Sequence, residues 1–125
     1  MMMRRAKAKK NAYQFGQFAE TFSCWRLRLW GYKILERGYR QSTGEIDIIA
    51  RRGNILAFIE VKARSSYDDA IHALGPTQRR RIERTAQVFL SNHPELATLN
   101  SRFDLIIVQP WCMPVHLSGA WMVGE

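Results

Sequence analysis

Between residues 13 and 30 apolar side chains return every three or four positions. Phe15, Phe18, Phe22, Trp25 and Leu29 line one stripe, the spacing of a helix. Gly16, Glu20, Ser23 and Leu27 recur at the same interval on roughly the opposite side, and Gly31 stops the pattern. A helix patterned on two sides is either sandwiched or supports a partner chain. The pattern does not choose which stripe meets the rest of the fold.

Beyond Gly31 the period drops to two. Residues 32–36 predict a first strand, ending near Arg37-Gly38. Residues 45–51 predict a second, with Ile46, Ile48 and Ala50 on one face and Glu45, Asp47, Ile49 and Arg51 on the other. Residues 55–62 predict a third, with Ile55, Ala57, Ile59 and Val61 opposite Leu56, Phe58, Glu60 and Lys62. Gly53 as the first of two loop residues, Gly53-Asn54, suits a type II′ hairpin turn. A second helix is expected over residues 76–92, because Pro76 is favoured at a first helical position and His93-Pro94 ends the pattern. Its core face reads Ile82, Thr85, Ala86 and Phe89, with Arg80, Arg81 and Arg84 turned away. A fourth strand follows at 103–108. The order helix, three strands, helix, strand predicts an α/β fold: a mixed central sheet of four to five strands flanked by helices.

The hairpin brings chemistry together. With Gly53 and Asn54 as the loop, Ile49 faces Phe58, Asp47 faces Glu60 and Glu45 faces Lys62, with Cβ atoms about 4.5–5.5 Å apart. A four-residue loop leaves the two acids diagonal neighbours on one face; a three- or five-residue loop separates them onto opposite faces. Carboxylates this close repel, so a shared proton, a lysine or a divalent cation must offset them. Lys62 shares the face of Glu60. Hard oxygen donors on a rigid hairpin suit Mg2+ or Mn2+. The competing reading is solvated sheet decoration, Glu45 with Lys62 and Asp47 with Arg51, worth under about 1 kcal/mol each. Ile49, Leu56 and Phe58 on the same face argue against it, since buried charges are rarely decorative.

Charge adds a partner class. The 125 residues carry a net charge of +8, and Arg4, Arg5, Lys7, Lys9 and Lys10 fall in the first ten with no acid among them. Residues 1–12 are therefore expected to form a basic, disordered tail ahead of one domain over residues 13–125. A basic surplus attracts polyanions, either nucleic acid or anionic membrane. Leu105-Ile106-Ile107-Val108 is the longest aliphatic run, far short of the roughly 20 apolar residues of a spanning helix. No apolar segment follows the charged N-terminus as in a secretory signal. Cys24 and Cys112 make no disulfide framework, so free thiols in the cytoplasm are expected. Arg79, Arg80, Arg81 and Arg84 suit phosphate contacts, with a solvated helix face as the alternative; Arg51, Arg52 and Arg64 join them as candidate nucleic-acid-binding residues. His72, His93 and His116 are isolated, Asp104 reads as structural, and Trp25 and Trp30 read as core or dimer interface.

Asp47 followed after twelve residues by Glu60-Val61-Lys62, behind a helix bearing Glu20, resembles the PD-(D/E)xK nuclease motif. Gly44-Glu45-Ile46-Asp47-Ile48-Ile49-Ala50-Arg51 and Phe58-Ile59-Glu60-Val61-Lys62-Ala63-Arg64 further resemble the YraN-like family of small bacterial proteins. The likeness continues in Gly16, Ala19-Glu20, Gly31-Tyr32, Ile34-Leu35, Arg102-Phe103-Asp104 and Val115-His116-Leu117, over roughly residues 13–121. That family belongs to the restriction-endonuclease-like superfamily and is similar to archaeal-type Holliday junction resolvases.

The resemblance implies a nuclease-like domain with a metal-dependent phosphodiesterase centre. Asp47 and Glu60 would hold Mg2+ (or Mn2+), Lys62 would position or activate the water, and Glu20 would be a further acidic ligand. Ile46 replaces the motif's often degenerate proline. Gln78 replaces the family's usual lysine at the start of the second helix, on the Ile82/Phe89 face, and some nucleases of the superfamily use glutamine there. Tyr67-Asp68-Asp69 replaces the usual Phe-Gly. The expected activity is an endonuclease acting on branched or structured DNA, with self-association as a homodimer favoured by the small size and two-sided first helix. An RNA-directed nuclease would share the site. The alternative is a non-catalytic nucleic-acid-binding protein keeping the nuclease fold.

Overall fold

The structure, a computed structural model, describes residues 2–125, with side chains from residue 15 onward. The tail expected over residues 1–12 lies outside the residues whose side chains are described. Helix α1 (Met2–Leu29) precedes strands β1 (Lys33–Gln41), β2 (Gly44–Arg52) and β3 (Ile55–Ala63). Helices α2 (Tyr67–Ala73) and α3 (Pro76–Asn92), then a 3₁₀ turn at Pro94–Leu96, lead to β4 (Asn100–Val108) and β5 (Val115–Trp121). The five strands form one mixed sheet in the order β1-β2-β3-β4-β5, parallel between β3 and β4 and antiparallel elsewhere. The expected α/β architecture is the one observed. Among the described residues no helix is long and apolar enough to cross a membrane.

The sheet has apolar layers on both faces. Phe58, Phe103, Leu105 and Ile107 pack with Ile82, Ala86 and Phe89 of α3. Ile48, Ala50, Ala57, Ile59 and Ile106 pack with Ala19, Cys24 and Leu27 of α1. The small-residue side of α1 therefore meets the sheet. Ser23, fully buried, satisfies its hydroxyl on the carbonyl of Ala19 at 2.7 Å. Of the aromatic stripe, Phe15 packs against this layer, whereas Phe18, Trp25 and Leu29 face outward and are more than half exposed.

Three expectations need correction. The first strand does not end near Gly38 but runs to Gln41, because β2 offers it a ladder as far as Gln41↔Gly44. Ile46 does not share a face with Ile48 and Ala50. It joins Ile49 under α3, so strict alternation is interrupted at Asp47. The expected order also lacks two elements, α2, which forms after β3 with Ser66 as N-cap accepting the Asp69 N–H at 3.2 Å, and β5 beyond β4. Tyr67, Ala70, Ile71 and Leu74 recur after β3 at helical spacing, and Ala70 and Leu74 join the α3-side core. The last helix is the expected one, 76–92.

Candidate active site

The β2–β3 turn is the two-residue loop anticipated. Gly53 has φ +59°, whereas Asn54 is not among the residues with positive φ, which matches type II′ rather than I′. Pairing then runs from Arg52↔Ile55 to Ile48↔Ile59 in the expected register. There the regular ladder stops. Asp47, the next residue, meets β3 through its side chain: Oδ2 accepts the backbone N–H of Val61 at 2.8 Å. The strands diverge into a fork with Asp47 on one prong and Glu60 on the other.

Glu60 is buried, and its Oε1 faces two donors, Gln78 Nε2 at 3.0 Å and Lys62 Nζ at 3.2 Å. Burial pushes its pKa up, opposed chiefly by the Lys62 charge. Asp47 is pushed further, to about 8: burial is the main cause, the charge of Glu60 adds to it, and the Val61 N–H bond opposes it. At about 8, Asp47 keeps its proton at neutral pH and so relieves the repulsion with Glu60, one of the three offsets the sequence allowed.

Two more acids stand at the rim, each already engaged by β1. Glu20 of α1 pairs with Arg37 at 3.4 Å, and Arg37 also bonds Thr21 Oγ1 at 3.0 Å. Glu45 pairs with Arg40 at 3.0 Å. Both acids raise the pKa of Asp47, so their negative potential reaches the inner pair. Glu20, Asp47 and Glu60 line a cleft opening on the α1 side. Asp47, Glu60, Gln78 and Arg81 line a second cleft of about 500 Å³ on the α3 side. The acid pair is therefore reachable from both faces of the sheet. Among the described residues no three His, Cys, Asp or Glu side chains converge as a ready-made metal cage. The two hard carboxylates of Asp47 and Glu60 nevertheless fit a divalent cation that completes its shell with water and substrate oxygens, the habit of Mg2+.

The candidate arginines do not form one surface. Arg81 lines the α3-side cleft and Arg84 stands beside it along the β1–β2 turn. Arg80 is exposed on the same helix. Arg79 turns towards Trp121 and Leu117 of β5. Arg64 lies just past the end of β3 and bonds the Ala63 carbonyl at 2.8 Å. Arg51 and Arg52 sit at the far hairpin turn, where Arg51 bonds the Gly53 carbonyl and Arg52 stacks 4.5 Å over Tyr32. Arg37 and Arg40 are functional neighbours that the sequence did not single out: the first strand, expected to end near Arg37-Gly38, runs on to Gln41 and carries both to the rim. The turn signal Gln41-Ser42-Thr43-Gly44 ahead of Ile46 was the cue.

Asp104, on the α1 face of the sheet, is fully buried and structural. It accepts two bonds from Arg102 at 2.8 Å each, one from His116 Nε2 at 2.8 Å and one from the Gly119 N–H at 2.9 Å. Arg102 in turn bonds the Tyr32 hydroxyl. The network ties β5 and the exit of α1 to β4.

The sequence model of the family described as "Uncharacterised protein family UPF0102" matches residues 19–108, which contain every acid of the site. The chain is 44% identical over 122 residues to a UPF0102 protein of Paramagnetospirillum magneticum, covering 94% of this chain and 95% of that one. It is 48% identical over 118 residues to one of Methylocella silvestris, with the same shares of the two chains. A third, from Mesorhizobium japonicum, is 42% identical over 121 residues and covers 97% of each.

Proposed function

Because this chain belongs to the uncharacterised protein family UPF0102, its activity has to be read from its own residues, and we propose that it is a divalent-metal-dependent endonuclease of the restriction-endonuclease-like type. Its substrate is the phosphodiester backbone of DNA, branched or structured DNA foremost. The observation that carries this reading is the buried Asp47–Glu60 pair at the fork of β2 and β3, with Lys62 Nζ 3.2 Å from Glu60. A cytoplasmic location goes with a DNA substrate.

Mg2+ or Mn2+ held by Asp47 and Glu60 would polarise a phosphate oxygen and lower the pKa of a bound water. The protein's part is to hold the ligands and balance charge. The Val61 N–H fixes Asp47, while Gln78 and Lys62 fix Glu60 from opposite elements. Lys62, only 12% exposed, carries an ammonium next to the acids that can orient the attacking water and neutralise charge developing on the phosphate. Glu20 stands on the α1-side wall as a further acidic ligand once it leaves Arg37.

A second copy of the chain is the partner proposed for the outer face of α1. Phe18, Trp25, Leu29 and Trp30 are 60%, 61%, 82% and 58% exposed. Together they offer on the order of 500 Å², a large part of the roughly 800 Å² per partner that stable interfaces bury.

The deciding assay incubates four-way-junction, single-stranded and duplex DNA with wild type and Asp47→Asn, with Mg2+, with Mn2+ and with EDTA. Wild type should cleave at least the junction, only with metal, and Asp47→Asn should lose at least a hundredfold in rate. Absence of metal-dependent cleavage on every substrate, while both proteins bind DNA equally, would leave the non-catalytic binding protein as the correct reading.

A further inference from the structure

The tip of the β1–β2 hairpin is clamped onto α3. Thr43 Oγ1 and Thr85 Oγ1 lie 2.8 Å apart, and the Thr85 hydroxyl also bonds the Arg81 carbonyl at 2.8 Å. Gly44, at φ +149°, permits the approach: a Cβ there would stand 3.3 Å from both Arg81 Cβ and Thr85 Oγ1. The clamp leaves a groove between tip and helix, walled by Arg40, Ser42, Thr43, Arg81 and Arg84. It runs into the α3-side cleft, with which it shares Gly44, Glu45 and Arg81.

The groove has an electrostatic purpose that the acid pair cannot serve. Asp47 and the three acids around it, Glu20, Glu45 and Glu60, repel a phosphate, so a polyanion must be drawn in by cations outside them. Arg81 and Arg84, at i and i+3, project from one side of α3 with Cβ atoms about 5–6 Å apart. Among the described residues neither has an ion-pair partner, whereas Arg37 and Arg40 are spent on Glu20 and Glu45. The Ser42 and Thr43 hydroxyls border the same space with further hydrogen-bonding capacity.

We propose that this groove is the track for the sugar–phosphate backbone of one nucleic-acid strand, with Arg81 and Arg84 holding the phosphates that flank the one delivered to the acid pair. The proposal rests on the nuclease reading for its substrate class. It also separates four of the seven candidate arginines. Arg81 and Arg84 hold the substrate, while Arg51 and Arg52 of β2 lie opposite Leu56 and Ile55, about 13–17 Å from Glu60 along β3, and do not.

Binding of fluorescent single-stranded DNA, and of RNA of the same sequence, is titrated across salt in EDTA, where no metal-dependent cleavage intervenes. The proteins are wild type, Arg81→Ala/Arg84→Ala and Lys33→Ala/Arg51→Ala, a charge-matched control from the far end of the sheet. Wild type should bind, and the groove variant should flatten the slope of log K against log salt by roughly 1.4 units, the control by much less. No binding by wild type, an unchanged slope in the groove variant, or equal flattening in both variants overturns the track. Tighter binding of the RNA reassigns the strand and keeps the groove. Cleavage is read separately with Mg2+: a groove that binds as expected in a protein that cleaves nothing keeps the track and removes the nuclease, and the reverse result does the opposite.

Discussion

Gln78, at the start of α3, donates an amide N–H to Oε1 of Glu60 across 3.0 Å, the same oxygen that Lys62 Nζ approaches at 3.2 Å. One oxygen of the buried carboxylate is thus claimed by two elements, which fixes the group's orientation towards Asp47. Gln78→Ala should weaken Mn2+ binding about 10–100-fold, the usual cost of losing a hydrogen bond behind a metal ligand. Gln78→Lys should retain binding, because an ammonium there also donates to Glu60 and favours its ionised form. Calorimetric titration of Mn2+ into the three proteins checks this, and equal affinities would make Gln78 an idle neighbour.

The Asp47 pKa makes stability depend on pH in a defined direction. Its folded value of about 8 lies above the ordinary 3.8, so between those values the native state keeps a proton that the unfolded chain has released. Stability is therefore lost as pH rises from about 4 to about 8 and changes no further above that. Asp47→Asn can still accept the Val61 N–H but does not titrate. Its melting temperature should match wild type near pH 4, exceed it by several degrees at pH 8, and stay ahead by a constant margin beyond. Mn2+, which needs the ionised carboxylates, should raise the wild-type Tm most at high pH and leave the variant largely unmoved. Parallel melting curves for the two proteins from pH 4 to 9 would refute the proton held by Asp47.

How much of this was legible beforehand follows from which interactions are local. The β2–β3 hairpin could be read because Gly53-Asn54 dictates its turn, and the turn dictates which residues of the two strands meet. The helix 76–92 was equally plain, with Pro76 at one end and His93-Pro94 at the other. The fork at Asp47 was not. Nothing in alternating Ile46, Asp47 and Ile48 says that the ladder stops or that Ile46 changes face, because this depends on the Asp47 side chain capturing a backbone N–H of β3. The clamp between Thr43 and Thr85 was hidden for a similar reason, since it joins residues 42 positions apart. On α1 the more apolar stripe turned out to be the more exposed one. Close approach to the sheet selected Ala19, Ser23 and Cys24, which bulk hydrophobicity does not rank highly.

Asp104 should respond to pH in the opposite sense. Burial pushes its pKa up, but the bonds from His116, Arg102 and Gly119 outweigh that and hold it below the ordinary value. Its contribution is present above pH 3.8 and is lost as pH falls through its folded value. Asp104→Ala leaves Arg102 and His116 facing a void where their carboxylate was. The cost should be about 3–5 kcal/mol, the range for breaking a buried ion pair by removing one partner. Chemical denaturation at pH 7 measures it. A loss below about 1 kcal/mol would mean that the network is no stronger than a surface pair.

The outer face of α1 makes the last prediction. Phe18 and Phe22 stack at 5.7 Å, and Arg26 lies 4.6 Å over the Trp30 ring, so the aromatic patch is ordered before any partner arrives. Pre-ordering lowers the side-chain entropy cost of association. A two-fold pairing of this face buries Trp25 and Leu29 twice over. Trp25→Glu/Leu29→Glu places charges at its centre while leaving Ala19, Cys24 and Leu27, which contact the sheet, unchanged. Sedimentation velocity at tens of micromolar should show wild type as a dimer and the variant as a folded monomer with an unchanged circular-dichroism spectrum. Wild type sedimenting as a monomer under those conditions, or a variant that still dimerises, would remove α1 as the interface.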